Sequence, residues 1–365
     1  MANLQEIIPD NLREYNVRWA HTSGTTGTGL QFPLSAQCFQ REYAFSSLHY
    51  LWGNIRRGDK MAFCSGHPVA SATRGRPPFW VYDYANNWLL LSSYHLSEKN
   101  LRSYIFELER FQPALLSGYP SSIYLLALAN EYYGRRVHPR AIYTASETLF
   151  DFQRVRIENS FGCKVFVWYG NSEMCCNIVE CEKGKYHLKL EHSYVEFLDN
   201  RDRPAEIGQE GRLICTGFGN YAFPLIRYSI EDIAVLSDEE SCLCGRGGRV
   251  VQEVLGRTED YIVTPDGRFV GRLDHLFKDA VHVKLAQIIQ NRIEEVIIRV
   301  VKDRDYSRKD ELEISQEAAV RLGPFVEINF EYVNEIPRGS SGKYRFVISN
   351  INRDVLKKDF LSSPL

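Results

Sequence analysis

Lys164-Val165-Phe166-Val167-Trp168-Tyr169-Gly170-Asn171-Ser172-Glu173 is the segment from which the architecture follows. Its first five residues, rich in β-branched and aromatic side chains, read as a buried strand. Gly170 ends that strand and leaves an acidic residue just beyond its carboxyl end. Working back, Leu149, Phe152, Val155, Arg156 and Ile157 read as a helix ending before Gly162, and Ala141 to Ala145 reads as another strand. Earlier still, Pro120 opens a helix through Ile123, Leu126 and Ala127 to Gly134, preceded by the apolar run Ala114-Leu115-Leu116 and a turn at Gly118. Ser97 stands as N-cap to a helix carrying Leu101, Tyr104, Ile105, Leu108 and Phe111 that stops near Pro113. Strand and helix alternating in this order predict a parallel sheet with right-handed crossovers, whose ligands sit at the carboxyl ends of its strands.

Beyond Gly170 the pattern changes to the alternation of antiparallel strands, in Tyr186 to Leu190 and in Glu210 to Thr216. A polar stretch, Gly256-Arg257-Thr258-Glu259-Asp260, then precedes a region that reads as its own small α+β unit, with strands near 282–289, 295–301 and 325–333 and a helix from Asp310 to Leu322. The predicted fold class is α/β: a large N-terminal domain, residues 1–258, with a mixed and largely parallel sheet, and a small α+β C-terminal domain, residues 259–365.

A length of 365 residues has room for these two domains. With 44 Lys and Arg against 46 Asp and Glu, the net charge is −2, and the part after Arg257 is balanced as well. Neither domain has the basic footprint of a nucleic-acid or anionic-membrane partner. No window reaches the roughly 18 apolar residues of a spanning helix. Met1 to Glu6 lacks a basic start and apolar stretch, which predicts a cytoplasmic protein. In that reducing compartment the nine cysteines, an odd number, are thiols or metal ligands rather than disulfides.

Thr22-Ser23-Gly24-Thr25-Thr26-Gly27-Thr28-Gly29 interleaves three glycines with hydroxyl side chains, so its backbone N–H groups can converge on phosphate oxygens. It is not a Walker loop, because no Gly-Lys-Ser/Thr follows. Cys181 and His187, with Cys242 and Cys244 some fifty residues on, supply three thiolates and one imidazole, a closed set of the structural zinc type. Cys176 is an alternative to Cys181, and free thiols are the plain reading of all of them.

Thr22 to Gly27 resembles the phosphate loop of the adenylate-forming superfamily, and the family's other motifs follow in order. Tyr169-Gly170-Asn171-Ser172-Glu173 is similar to its Tyr-Gly-x-Thr-Glu motif, Ile226-Arg227-Tyr228 to Asp232 to its ribose-binding motif, Gly256 to Asp260 to its hinge, and Pro337 to Lys343 to its C-terminal lysine motif. Pro224 to Tyr228 and the cysteine pattern resemble the phenylacetate-CoA ligase-like branch, including its relatives from capsular polysaccharide biosynthesis. The resemblance implies an ATP- and Mg²⁺-dependent ligase that makes an acyl-adenylate from a small carboxylic acid and passes the acyl group to a thiol, coenzyme A. It implies phosphate contacts from Ser23, Gly24, Thr25, Thr26 and Gly27, an adenine wall from Ala145, Ser146 and Glu147, and further nucleotide contacts from Tyr169, Gly170, Asn171 and Ser172. Asp232 would take the ribose hydroxyls with Arg257 nearby, Glu173 the Mg²⁺, and Lys343 the carboxylate and α-phosphate. Glu259 would be the hinge about which the second domain rotates to withdraw that lysine.

Departures from the pattern are the missing lysine after the phosphate loop, Ser172 for threonine, Glu259 for aspartate, and Ser229-Ile230-Glu231 before Asp232. The loop begins at residue 22, where the family carries a substantial preceding segment; this implies a compact variant or an acid site missing an N-terminal piece. Two other readings stay open: transfer of the acyl group to an amine, a hydroxyl or a carrier protein, and a non-catalytic nucleotide-binding scaffold. A homodimer is compatible with either.

Overall fold

The structure is a computed structural model that describes residues 7–21, 31–66, 69–71, 74–96, 98–257, 262–265, 269–270, 273–277, 282–337 and 345–351. Two compact units emerge, Met1–Leu149 with Gln153–Gly256, and Phe150–Phe152 with Arg257–Leu365.

The first unit runs β1 (Val17–His21), β2 (Gln31–Ser35), α1 (Ala36–Trp52), β3 (Met61–Ser65), β4 (Trp80–Asp83), β5 (Trp88–Ser92), α2 (Glu98–Phe111), β6 (Leu115–Gly118), α3 (Pro120–Tyr132), β7 (Ala141–Ala145), α4 (Asp151–Phe161) and β8 (Val165–Gly170). It continues with β9 (Asn177–Glu180), β10 (Tyr186–Leu188), β11 (Ser193–Leu198), β12 (Glu210–Gly217), β13 (Tyr228–Leu236) and β14 (Val250–Arg257). β1 and β2 form a hairpin-like pair, and the others make one twelve-stranded sheet in the order β11-β12-β13-β14-β10-β9-β8-β7-β6-β3-β5-β4. From β5 through β3, β6 and β7 to β8 all pairings are parallel, as the alternation of elements requires. β8 then pairs antiparallel with β9, and β9 with β10. α2, α3 and the strands beside them stand close to the sequence reading, except that Ser97 lies outside the described residues.

Close approach of backbones fixes one glycine. Gly118 pairs with Cys64 at the end of β6, and a Cβ there would stand 2.3 Å from the Cys64 carbonyl oxygen, an atom that cannot swing aside. Gly118→Ala is therefore expected to cost about 1–3 kcal/mol, as overpacking does, and to lower the melting temperature by several degrees. An unchanged thermal denaturation curve would show that the strands separate freely at this point.

The second unit contains β15 (Ile262–Val263) with β16 (Phe269–Val270), then β17 (Val283–Arg292), β18 (Glu295–Lys302), α5 (Arg308–Leu322), β19 (Glu327–Tyr332) and β20 (Val347–Ser349). Its sheet has the order β19-β18-β17-β20, with β17 and β18 antiparallel and both outer pairings parallel. α5 starts in a capping box: the Ser307 side chain accepts from the backbone while Asp310 accepts from the Ser307 N–H. Ile314, Ala318 and Leu322 of that helix then pack with Ile288, Ile298 and Val300 in the core. β20 was not read from the sequence. Among the described residues no helix is long and apolar enough to cross a membrane.

Candidate active site

At the carboxyl end of the parallel strands the chain leaves β7 and β8 in tight turns. After β8, the Asn171 side-chain oxygen accepts from the backbone N–H groups of Cys175 and Cys176, both at 3.1 Å, and Met174 takes the left-handed conformation at φ 52°. An asparagine that satisfies two backbone donors locks the turn, and Glu173 is presented from it. Glu173 is buried, and its Oε1 accepts from the Tyr228 hydroxyl of β13 at 2.9 Å. The second carboxylate, Asp232 of β13, is also buried and accepts from the Tyr169 hydroxyl at 2.5 Å. Burial, and next the Asp232 charge, raise the Tyr169 hydroxyl well above its ordinary range. Burial, and next the Glu173 charge, do the same to Tyr228. Both phenols therefore stay protonated and donate, so side-chain bonds run both ways between β8 with its following turn and β13, each tyrosine holding the other segment's carboxylate.

At the end of β7, Ser146 is exposed with φ 69°, and Glu147 Oε2 accepts from the Ser121 N–H in the first turn of α3, a favourable place for a negative charge. Of the other residues singled out from the sequence, Ser23, Gly24, Thr25, Thr26, Gly27, Glu259 and Lys343 lie outside the described residues, as does the Arg257 side chain. The two tyrosine partners were not read in those roles. Their signal lay inside the motifs, since Tyr169 and Tyr228 each stand four positions before a candidate carboxylate, at Glu173 and Asp232.

Away from this site, Cys181, His187, Cys242 and Cys244 converge, with their ligand atoms all within 4.8 Å of one another. Two turns of the same build bring them in. In Cys181 to Gly184 and in Cys242 to Gly245, the first carbonyl accepts from the N–H of a left-handed glycine, and the N–H two residues on points at the first sulfur. The Cys181 and Cys242 sulfurs are 3.8 Å apart, and Cys244 Sγ lies 3.3 Å from His187 Nε2. Burial pushes the Cys181 thiol up to about 11 and lowers His187. For Cys244 burial acts upward too, but the Arg246 N–H and neighbouring donors outweigh it, so its thiol falls below the usual range. Cys176 is not part of the cluster; it lies in the core with Cys175 and Cys215.

A profile of the CapK C-terminal domain matches residues 262–350. Protein CapK of Staphylococcus aureus is 28% identical over 339 residues, which span 90% of this chain and 74% of that protein. Phenylacetate-coenzyme A ligase of Thermus thermophilus is 30% identical over 166 residues, 43% of this chain and 37% of that protein. Among solved structures, 2-hydroxyisobutyryl-CoA ligase in its postadenylation state superposes with a TM-score of 0.72 at 19% identity, over 99% of this chain and 81% of that one. The anthranilate CoA ligase AuaEII, in complex with anthranoyl-AMP, superposes at 0.63 and 13% identity, over 94% and 67%. Similarity to CapK over most of the chain and to phenylacetate-CoA ligase over less than half of it, on a fold shared with solved CoA ligases, supports the resemblance to the adenylate-forming superfamily and its phenylacetate-CoA ligase-like branch.

Proposed function

We propose that the chain activates a small carboxylic acid with ATP and hands the acyl group to a thiol, coenzyme A. In the first half-reaction a carboxylate oxygen attacks the α-phosphorus and pyrophosphate leaves. In the second, the thiol sulfur attacks the acyl carbon, its proton passes to solvent, and AMP leaves. The observation that supports this best is the pair of buried, tyrosine-tethered carboxylates, Glu173 and Asp232, beyond the carboxyl end of β8. Asp232 offers acceptors to two ribose hydroxyls, while Ala145, Ser146 and Glu147 at the end of β7 suit an adenine wall beside Tyr169 to Ser172. Ser23 to Gly27 and Arg257 are assigned to the phosphates, Lys343 to the developing charge at the α-phosphate, and Glu259 to the hinge between residues 1–258 and 259–365.

Glu173 is a hard oxygen donor suited to Mg²⁺, which would neutralise charge on the phosphates. Glu173→Gln keeps the shape but loses the charge, so it is expected to raise the Mg²⁺ requirement and slow the first half-reaction by at least about tenfold. A wild-type Mg²⁺ titration of pyrophosphate exchange in this variant would leave Glu173 a structural residue.

The cysteine cluster fits Zn²⁺. Tetrahedral coordination at about 2.3 Å to sulfur puts sulfurs roughly 3.8 Å apart. That is the Cys181–Cys242 separation. Four protein ligands leave no open position, so the role is structural. The reading as a whole is tested by ATP–pyrophosphate exchange and by hydroxylamine trapping across a library of carboxylic acids. Product that forms with coenzyme A but without hydroxylamine identifies the acceptor. Absence of exchange with every acid would favour the non-catalytic scaffold.

A further inference from the structure

A cavity of about 380 Å³ lies on the opposite face of β8 and β9 from the two carboxylates. Side chains alternate along these strands. Tyr169 and Ile178 point into the core beside Asp232, whereas Trp168 packs toward His49 of α1, and Asn177 and Val179 line the cavity. Leu48 of α1, Val179 and Leu188 give it apolar walls.

Its buried lining is polar in a specific way. Asn177 is 0% exposed, and neither its amide oxygen nor its amide nitrogen has a hydrogen-bond partner among the described residues. His49 is 2% exposed, and its Nε2 lies 2.7 Å from the Glu180 carbonyl oxygen, so that nitrogen carries the proton and donates. Burial keeps the ring neutral, with a pKa down at about 3. Nδ1 is then an acceptor, also without a partner among the described residues. Buried polar groups in folded proteins are nearly always satisfied, and two such side chains lining one cavity point to something that satisfies them there. A hydroxyl group meets two of these three atoms, donating to His49 Nδ1 and accepting from Asn177 Nδ2, and leaves Asn177 Oδ1 for a second donor.

The cavity lining also includes Arg246 and Lys189, whose cationic groups lie 4.2 and 5.6 Å from the Trp52 ring centre. Arg246 is paired with Glu182 at 2.5 Å and Lys189 with Glu191 at 3.7 Å, so each cation already has one carboxylate partner; its remaining N–H donors suit a second one.

We propose that this cavity is a second ligand site for a small hydroxy-substituted aromatic carboxylate, its hydroxyl on Asn177 and His49, its ring between Leu48, Val179 and Leu188, and its carboxylate toward Arg246 and Lys189. The proposal goes beyond the ligase reading, since none of the residues assigned to the nucleotide or to Mg²⁺ lines this cavity. Isothermal titration with 4-hydroxybenzoate, followed in parallel by tryptophan fluorescence because Trp52 lines the cavity, tests it. One saturable equivalent is expected. Benzoate, which lacks the hydroxyl, should bind at least about tenfold more weakly, and Asn177→Leu should weaken 4-hydroxybenzoate to a similar degree. Leu48→Trp, at a half-exposed position where folding is not at stake, should block the cavity. No saturable binding, equal affinity for benzoate, or full affinity in Asn177→Leu or Leu48→Trp would each overturn the proposal. So would a crystal structure grown with the ligand that shows only ordered water at Asn177 and His49.

Discussion

Replacing Lys343 with alanine is expected to lower ATP–pyrophosphate exchange by several powers of ten while ATP binding and thermal stability stay nearly intact. The residue lies outside the described residues, and its assignment rests on the Pro337 to Lys343 motif. The reasoning is electrostatic. As the acid's oxygen approaches the α-phosphorus, negative charge gathers on both partners, and a single cation placed there acts on the transition state more than on the bound substrates. Losing even one neutral hydrogen-bond donor from such a position costs about 100- to 1000-fold, and a full charge should cost no less. Thioester formation from preformed acyl-adenylate should be far less affected, because rotation about Glu259 is proposed to withdraw the lysine. Exchange within about tenfold of wild type would remove Lys343 from the mechanism.

The second large effect is thermal rather than kinetic. Purified without a metal-affinity tag, the protein is expected to hold one equivalent of zinc, and stripping it with a chelator should lower the melting temperature by about 10 °C. A metal that binds only the folded form adds its binding free energy to stability, and a few kcal/mol corresponds to a shift of that order for a unit this size. The long interval between the Cys181 turn and the Cys242 turn strengthens the case, since closing such a loop costs entropy that the metal offsets. Cys242→Ser should lose both the zinc and the stability, because a serine hydroxyl is neither soft nor readily deprotonated. Surviving enzyme should keep most of its turnover. Zinc far below one equivalent, or undiminished zinc in Cys242→Ser, would leave these residues as ordinary thiols.

The parallel core was legible because each of its elements announces itself locally. Pro120 opens α3, Gly118 and Gly134 punctuate its flanks, and β7 and β8 are short apolar runs between helices. The N-terminal part was not. In α1 only Cys38 and His49 are fully buried, and Tyr43, Leu48 and Leu51 are exposed, so no apolar stripe marks it as a helix. β20 is three residues long and exists by virtue of its pairing with β17, a partner some sixty residues earlier. The candidate site shows the same division. Glu173 and Asp232 stood in motifs legible through a family resemblance, and the Cys181 cluster in a spacing of its own, whereas the bond from Tyr169 to Asp232 joins residues 63 positions apart. Asn177 and His49 resembled ordinary strand and helix residues, because a missing partner is a property of three-dimensional surroundings alone.

β8 is the seam of the large sheet, hydrogen-bonded to a parallel neighbour on one edge and an antiparallel one on the other. Fraying that begins at either rim, at β4 or at β11, must cross several strands before it reaches this one. Opening events in proteins are graded in this way, the outermost segments first and the middle last. The Asn171 turn and Glu173 hang directly from the strand that opens last. In mild denaturant, nucleotide affinity should therefore outlast turnover, and the amides of Val165 to Tyr169 should exchange with deuterium only at the rate of global unfolding. Faster exchange there than in β6 would mean that the seam gives way first.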